Sequence, residues 1–455
     1  MSPAAEKKGE SVEIRERRLL TIGQALVQAS DADETEVLLA DGRSYLTRFA
    51  GNRIHQNVGA EEATAVIRAV VDKRIGVATA DSLEADALEA ACASAIAIAR
   101  ASEPDPDWPG LLKPRTIKPL RAYHTATALV TAGTRAAFAG RIIEAAKRKG
   151  GEAAGIIEVG EGALAVINSR GVAAATSHTR AESNALVTCD DGSGWAEAVA
   201  VRFPDLDADR LGARAALKAD ISRAPRSIDP GRYDVVLEPP AVGEWLQYLA
   251  YVAFSGKNFD EGRSPLSGRL GERVTGEQVT LWDNPRDRRT LPQPFDYEGM
   301  PTRRLTLIRD GVAEGVGTNH YRARRLGKRV STGSALPASS SMECLPVHLF
   351  MKGGASSPRR LLEGMKRGLL VTRFHYTNIL DPMKTVLTGM TRDGTFLVEN
   401  GKIVHAVRNL RYTENVLAAL GRADGLSRRL TLVPGPCVVP TVRLRGVQFS
   451  GTTEF

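Results

Sequence analysis

The chain has 455 residues, of which 43% are hydrophobic and 25% are charged, and its formal net charge is +8. These proportions are ordinary for a soluble globular protein, and the length predicts about two or three domains. Because 53 acidic residues nearly balance 61 basic ones, the charge favours solubility and does not indicate nucleic-acid binding. We therefore expect no nucleic-acid partner.

We expect neither export nor membrane insertion. The first 18 residues of the chain are charged and lack an apolar core, and no run approaches the ~18 apolar residues that a membrane-spanning helix needs. Residues up to about Ser11 are predicted to form a mobile tail. The cysteines lie far apart and form no C-x-x-C pair; they are Cys92, Cys189, Cys344 and Cys437. We expect reduced thiols, a cytoplasmic location and no membrane partner.

The first half of the chain alternates helical and strand patterns. Apolar residues at three- and four-residue spacing predict helices over residues 14–29, after Asp81 or Ser82, over 131–148 and near 208–218. Strands are predicted within residues 34–50, 65–71, 75–80 and 156–201, and the proline-rich stretch 102–119 is predicted to be a surface connector. Cys92 falls in the apolar stripe of the second helix, which favours an inert core thiol.

Turn residues set the expected strand boundaries. Asp41-Gly42 predicts a hairpin that divides residues 34–50 into two strands, because both residues accept positive φ. Further turns are predicted at Gly160, 168–171 and 190–194. In the second half, Asp-Gly, Asn-Gly and Glu-Gly pairs predict turns between strands, including one at Asp393-Gly394.

These patterns predict the α+β class with two domains. Residues 1–228 should form an N-terminal mixed α/β domain, in which an antiparallel sheet has helices on one face. Residues 229–455 should form a C-terminal β-rich domain, a sandwich or barrel-like body. We expect its strands to wrap on one central helix.

That helix belongs to the segment from Tyr233 to Val274. An apolar strand begins at Tyr233 and is stopped by Pro239-Pro240. The helix that follows has one apolar stripe of five residues, namely Val242, Trp245, Leu246, Leu249 and Ala253. A loop rich in glycine and charge, residues 255–273, comes next.

Several phrases in this half, taken in order, resemble the TldD/PmbA (TldD/TldE) family of metallopeptidase-related proteins. They are SGRLGERV (267–274), DYEGMPTRRLTLIRDGV (296–312), GLLVTRFHYTN (368–378), TGMTRDGTFLVENGKI (388–403) and CVVPTVRLRGVQFSGTTEF (437–455). The resemblance is strong from Tyr233 onward and weaker through residues 31–101. It implies the β-rich C-terminal body that the strand pattern also predicts.

The resemblance also implies where a metal would bind. In the catalytic branch the central helix carries H-E-x-x-x-H, whose histidines bind zinc and whose glutamate acts as general base. The matching positions here are Gln247 and Val252 for the histidines and Tyr248 for the glutamate. None of the three can bind zinc or act as the general base in this way, so the chain resembles the zinc-free, TldE-like branch. No catalytic residue and no cofactor are expected in it.

Cys437 stands where the family has its third zinc ligand. One thiolate cannot hold zinc by itself, because such sites need three or four protein ligands. Cys437 is therefore either an orphan ligand position or a small residue that packs a turn after Pro434-Gly435-Pro436. The sequence favours the packing role.

A polar strand, residues 371–378, supplies the candidate binding residues. Strict alternation would place Arg373, His375 and Thr377 on one face, and Phe374 and Tyr376 on the other. We expect Arg373, His375, Tyr376 and Asn378 to contact substrate or a partner, with the arginine as a bidentate fork for a carboxylate. The alternative is that they are polar residues on the solvent-exposed face of a sheet and have no binding role.

Two classes of function follow from the resemblance. In the first, this chain is a non-catalytic subunit that pairs with a zinc-bearing TldD-like paralogue, and the pair hydrolyses peptides or other amides, including substrates of an antibiotic-biosynthesis pathway. The loop 255–273 would form part of the wall of the substrate chamber. In the second, the chain is an autonomous hydrolase with an unrecognised site such as a Cys437–His375 pair. A scaffolding homodimer also stays open.

Overall fold

A computed structural model gives the structure of the chain over residues 11–452. The predicted tail and the last three residues of the final family phrase lie outside the described residues. Within the described part, no helix combines the length and the apolar character needed to cross a membrane. The architecture is α+β, as predicted, with one sheet in the first half and two in the second.

The first half is a six-stranded antiparallel sheet with helices on one face. Its strand order is β3-β2-β1-β4-β5-β6. The helices are α1 (Val12–Ala29), α2 (Ala85–Ala101), α3 (Thr125–Ala128), α4 (Ala132–Lys147) and α5 (Ala208–Ile221), and the strands are β1 (Glu34–Ala50), β2 (Arg53–Val71), β3 (Arg74–Ala80), β4 (Glu152–Asn168), β5 (Ala173–Cys189) and β6 (Gly192–Ala200).

The hairpin predicted at Asp41-Gly42 is wrong, since β1 runs through it without interruption. Gly42 pairs with β2 on one side and with β4 on the other. Asp41 is neutralised by Arg15, whose Nε lies 2.6 Å from its Oδ1. The real turn comes at Gly51-Asn52, with φ of 56° and 60°, values that glycine and asparagine tolerate best.

The turn predicted at Gly160 is also wrong, because Gly160 lies inside β4. The predicted turn at Asp393-Gly394 fails in a different way. Both residues have positive φ, 52° and 118°, but they lie inside a continuous strand of the second half (Val386–Glu399) where the pairing register shifts. Their backbone makes a bulge in that strand and not a hairpin.

The second half contains two sheets. One has the order β10-β9-β8-β11-β18-β17, and in the other β12, β7, β19, β15 and β13 pair in sequence until β13 returns to β12 and closes a barrel-like ring. The strands are β7 (Gly231–Leu237), β8 (Leu281–Asp283), β9 (Leu305–Arg309), β10 (Val312–Ala313), β11 (Leu349–Met351), β12 (Arg367–Asp381), β13 (Val386–Glu399), β14 (Lys402–Ala406), β15 (Leu410–Asn415), β16 (Ala423–Leu426), β17 (Thr431–Val433), β18 (Cys437–Val439) and β19 (Val442–Thr452).

Helix α6 (Pro239–Ala253) lies between these two sheets, in contact with β12 of one and β18 of the other. Its five predicted stripe residues are all buried. Trp245 stacks on Phe374 with ring centroids 5.3 Å apart and lies against Tyr412. The remaining helices are α7 (Gly256–Asp260), α8 (His320–Arg325), α9 (Pro358–Glu363) and α10 (Val416–Gly421).

The first sheet meets the second half through its helix-free face. Leu38, Leu164 and Val166 pack there against Phe295 and Met300. A buried ion pair crosses the same boundary, since Arg68 of β2 contacts both Glu36 of β1 and Glu298 of the second half. A cleft remains beside this contact, and its walls come from both halves.

Candidate functional site

Helix α6 begins directly after a buried strand, so its first turn has a fixed position. Prolines at its first two positions have the φ that a helix start requires and lack an N–H that would go unbonded there. Its apolar stripe faces the core, and the opposite side therefore presents Glu244, Gln247, Tyr248 and Tyr251. This polar side is where the resemblance places a zinc centre.

The residues on this side are held by polar contacts to two neighbouring segments. Gln247 Nε2 donates to the Pro434 carbonyl at 3.0 Å, and the Tyr248 hydroxyl donates to the Thr377 carbonyl. Burial raises the pKa of Glu244, although its hydrogen bond to Thr377 and the positive charge of a nearby arginine act in the opposite direction. The helix is thus tied to both the Pro434 turn and strand β12.

Cys437 adjoins Gln247, as the resemblance predicts for two ligand positions. Its thiol is completely buried and lies 3.2 Å from the Gly435 carbonyl. Burial raises the pKa of Cys437 far above its ordinary value, and the charge of Asp283 raises it further against a hydrogen bond from Gln247. The thiol is therefore protonated at neutral pH, which suits a packing role.

These residues do not fit a zinc ion. Val252 is 1% exposed and has no donor atom, Gln247 and Tyr248 offer an amide and a phenol, and a protonated thiol is not a ligand. In the described residues no group of three or more His, Cys, Asp or Glu side chains is placed to hold a metal. We derive no step through zinc in this chain.

Two titratable residues outside the predicted set of site residues lie close to Cys437. Asp283 on β8 and His348, just before β11, are brought together because these strands pair. The backbone N–H of His348 donates to Asp283 Oδ1 at 2.7 Å. Burial raises the pKa of Asp283 to about 8 and lowers that of His348 to about 4. Both are neutral at pH 7. Only the strand pairing reveals them.

Strand β12 departs from the predicted alternation. The register shifts between His375 and Asn378, and Tyr376 has a φ of 52°. As a result Thr377 is buried and Tyr376 is 71% exposed, the reverse of the sequence expectation for Thr377. A positive φ at a tyrosine is strained, so the surrounding pairing holds this ring out in solvent.

The other candidate residues of β12 differ in their freedom to bind. Arg373 is already engaged, with its Nε 2.8 Å from Asp393 Oδ2 and its guanidinium 4.0 Å above the Trp195 ring. His375 is half-buried beside Tyr376, and burial together with nearby arginine charges lowers its pKa. Asn378 is exposed and its amide donates to the Tyr376 carbonyl. His375, Tyr376 and Asn378 are the accessible members.

The structure gives no support to a Cys437–His375 nucleophilic pair. The Cys437 thiol contacts the carbonyls of Gly243 and Gly435, whereas His375 lies beside Tyr376. Neither side chain hydrogen-bonds to the other in the described part of the chain. A buried, protonated thiol with no base beside it is not an activated nucleophile.

Comparison with known proteins agrees with this arrangement of helix, sheets and turn. A family model described as the PmbA/TldA metallopeptidase C-terminal domain matches residues 230–451, and the model of domain 1 matches residues 35–99. The matches cover more than half of the chain. It belongs to the PmbA/TldD metallopeptidase family.

Individual relatives show how far the likeness extends. The crystal structure of TldE from Thermococcus kodakarensis superposes with a TM-score of 0.86 over 96% of this chain and 99% of that chain, at 23% identity. Metalloprotease PmbA of Escherichia coli O157:H7 is 23% identical over 92% of this chain and 93% of its own length. A metalloprotease of Methanothermobacter thermautotrophicus is 26% identical over 54% of this chain. The chain spans only about half the length of such archaeal relatives.

Proposed function

We propose that this chain is the zinc-free subunit of a two-subunit TldD/TldE-type peptidase. A zinc-bearing paralogue would supply the catalytic metal, and the pair would hydrolyse peptide or other amide bonds in the cytoplasm. The observation that carries the proposal is the identity of Gln247, Tyr248 and Val252 on α6, because the resemblance assigns these positions to the metal centre and none of the three side chains can bind zinc. Membership of a metallopeptidase family supports the hydrolytic role of the pair.

The accessible residues of β12 supply the contact surface in this proposal. Tyr376 projects from a strained bulge beside His375, and Tyr248 joins α6 to that bulge. A rigid exposed tyrosine loses little entropy on binding and is enriched at interfaces. Arg373 then acts as the support that positions this strand, through Asp393 and Trp195. The amide substrates would include peptides or antibiotic-pathway intermediates.

The test compares the purified chain alone, the paralogue alone and their mixture. We expect no stoichiometric zinc and no amide hydrolysis from this chain by itself, and hydrolysis by the mixture that a chelator removes and added zinc restores. Zinc is measured by elemental analysis and hydrolysis by mass spectrometry on unfolded peptides. Hydrolysis by this chain alone would reject the subunit role, as would a mixture no more active than the paralogue.

Replacing His375 with alanine tests the β12 surface. We expect the pair's activity to fall roughly tenfold, the effect of losing about 1.4 kcal/mol of contact, while the chain stays folded because His375 is only half-buried. His405→Ala is the matched control, since His405 is a half-buried histidine of the same sheet. Turnover and KM equal to those of the parent would show that His375 has no such contact.

A further inference from the structure

The cleft between the two halves is a cavity of about 550 Å³ that the zinc-free helix does not line. One wall is the helix-free face of the first sheet, formed by β1, β2, β4 and β5. The other wall consists of residues 291–294, Tyr297, Val347, His348 and Pro436. A volume of this size is within the range of small-molecule and short-peptide sites.

Glycines form the centre of the sheet wall. Gly42 and Gly162 pair directly across β1 and β4, and Gly160 lies two residues before Gly162, so all three point their missing side chains into the cleft. The His178 ring lies over Gly162, where a Cβ would come within 2.8 Å of it. The His178 ring covers Gly162, and the wall is open at Gly42 and Gly160, where a ligand can approach the backbone closely.

Apart from the groups that form ion pairs on the helix side, the charged side chains around this centre are mainly acidic. Asp41 and Glu161 point to the helix side of the sheet, where Arg15 contacts both and Arg18 also contacts Asp41. Arg43 is paired with Glu61. Strand alternation therefore leaves Glu62, Glu158, Glu182, Arg180 and His178 on the cleft side.

Two of these acids oppose each other. Glu158 of β4 and Glu182 of β5 are direct cross-strand partners, an arrangement that costs stability because like charges repel. Arg180 donates to Glu182, whereas neither Glu62 nor Glu158 has a salt-bridge partner in the described residues. Desolvation lowers the pKa of His178, and the positive charges of Arg15 and Arg180 lower it further. His178 is neutral, so the net charge of this wall is negative.

The facing wall carries no charge and includes His348, whose side chain has an unsatisfied polar atom. His348 is 5% exposed, and its Nδ1 is buried without a hydrogen-bond partner. A buried polar atom without a partner costs stability.

We propose that this cleft binds a basic peptide segment, with a lysine or arginine side chain between Glu158 and Glu182, its backbone on the glycine floor and an apolar residue against the proline-rich wall. The inference goes beyond the subunit role, because it needs neither zinc nor a paralogue. Failure of either proposal leaves the other standing.

The probe is the peptide acetyl-Lys-Pro-Phe-amide, compared with the same peptide carrying norleucine in place of lysine. Calorimetric titration of the purified chain at low salt should give about tenfold tighter binding for the lysine peptide, the size of a charge-assisted hydrogen bond in a partly exposed site. Higher salt should reduce that preference. No binding of the lysine peptide, or equal affinity for both peptides, would overturn the proposal.

Three variants locate the site. The double variant Glu158→Gln, Glu182→Gln should lose the preference for lysine while its Tm stays equal or rises, because an unfavourable pair has been removed. Glu152→Gln lies on the same strand roughly 20 Å away and should keep the preference. Gly42→Val should abolish binding of both peptides, since its Cβ meets only a carbonyl at 3.4 Å and the strand accepts it. A double variant that keeps the parent's preference, or full binding by Gly42→Val, contradicts the assignment.

Discussion

Replacing Trp245 with alanine should lower the free energy of unfolding by about 3–5 kcal/mol, the usual cost of removing a large buried aromatic side chain. Trp245 is 1% exposed and its ring stacks on Phe374 and lies against Tyr412. These three residues join α6 to β12 and β15. The cavity left by the missing Trp245 side chain therefore cannot close without moving the ring of strands. Urea unfolding followed by circular dichroism measures the change.

The matched control is Tyr251→Ala on the same helix. Tyr251 is 46% exposed on the polar side, so its loss should change the free energy of unfolding by no more than about 0.5 kcal/mol. A Trp245→Ala variant as stable as Tyr251→Ala would show that α6 is not the centre of the second core.

Replacing Arg322 with methionine should destabilise the fold by about 3 kcal/mol, because it removes a buried guanidinium that three carboxylates share. Arg322 on α8 is only 8% exposed at its side chain and contacts Asp260 at 2.7 Å, Glu261 at 2.8 Å and Glu343 at 2.7 Å. Arg324→Met, an exposed arginine on the same short helix, is the control and should have little effect. Equal stability of the two variants would contradict the ion-pair role.

The stability lost in Arg322→Met should depend on pH. Burial would raise the pKa values of Asp260 and Glu343, but hydrogen bonds from Arg325 and Arg322 to the first, and from Arg322 and Lys257 to the second, hold both below their ordinary values. Carboxyls with lowered pKa stabilise the fold above their unfolded pKa, and that contribution disappears as the pH falls through the folded pKa. The difference between parent and Arg322→Met should therefore shrink from pH 7 to about pH 3. A difference that stays constant would exclude this mechanism.

Local patterns predicted the elements whose residues contact their own neighbours. The buried stripe of α2 is the one expected from apolar spacing, and the buried Cys92 lies in it. The turns at Asp310-Gly311 and Asn400-Gly401 form where expected, with positive φ at all four residues. Such features depend on a few consecutive residues, so the sequence contains all the information that they need.

The errors occur where a distant residue changes the local preference. Asp41-Gly42 stays in a strand because Arg15 and Arg18 from α1 neutralise the aspartate and β2 and β4 pair on both sides of it. Tyr376 is exposed because the pairing of β12 with β13 contains an extra residue that no alternation rule can locate.

The sequence by itself determined the α+β class, the central helix and the absence of zinc-ligating groups at Gln247, Tyr248 and Val252, since residue identity and local spacing settle these points. Only the tertiary structure decided that Cys437 is buried and protonated, that Arg373 is already bonded to Asp393, and that a glycine-floored acidic cleft lies between the two halves. The physical reason is that burial, pKa and cross-strand register arise from contacts between residues far apart in the chain. A single sequence does not state which of those residues meet.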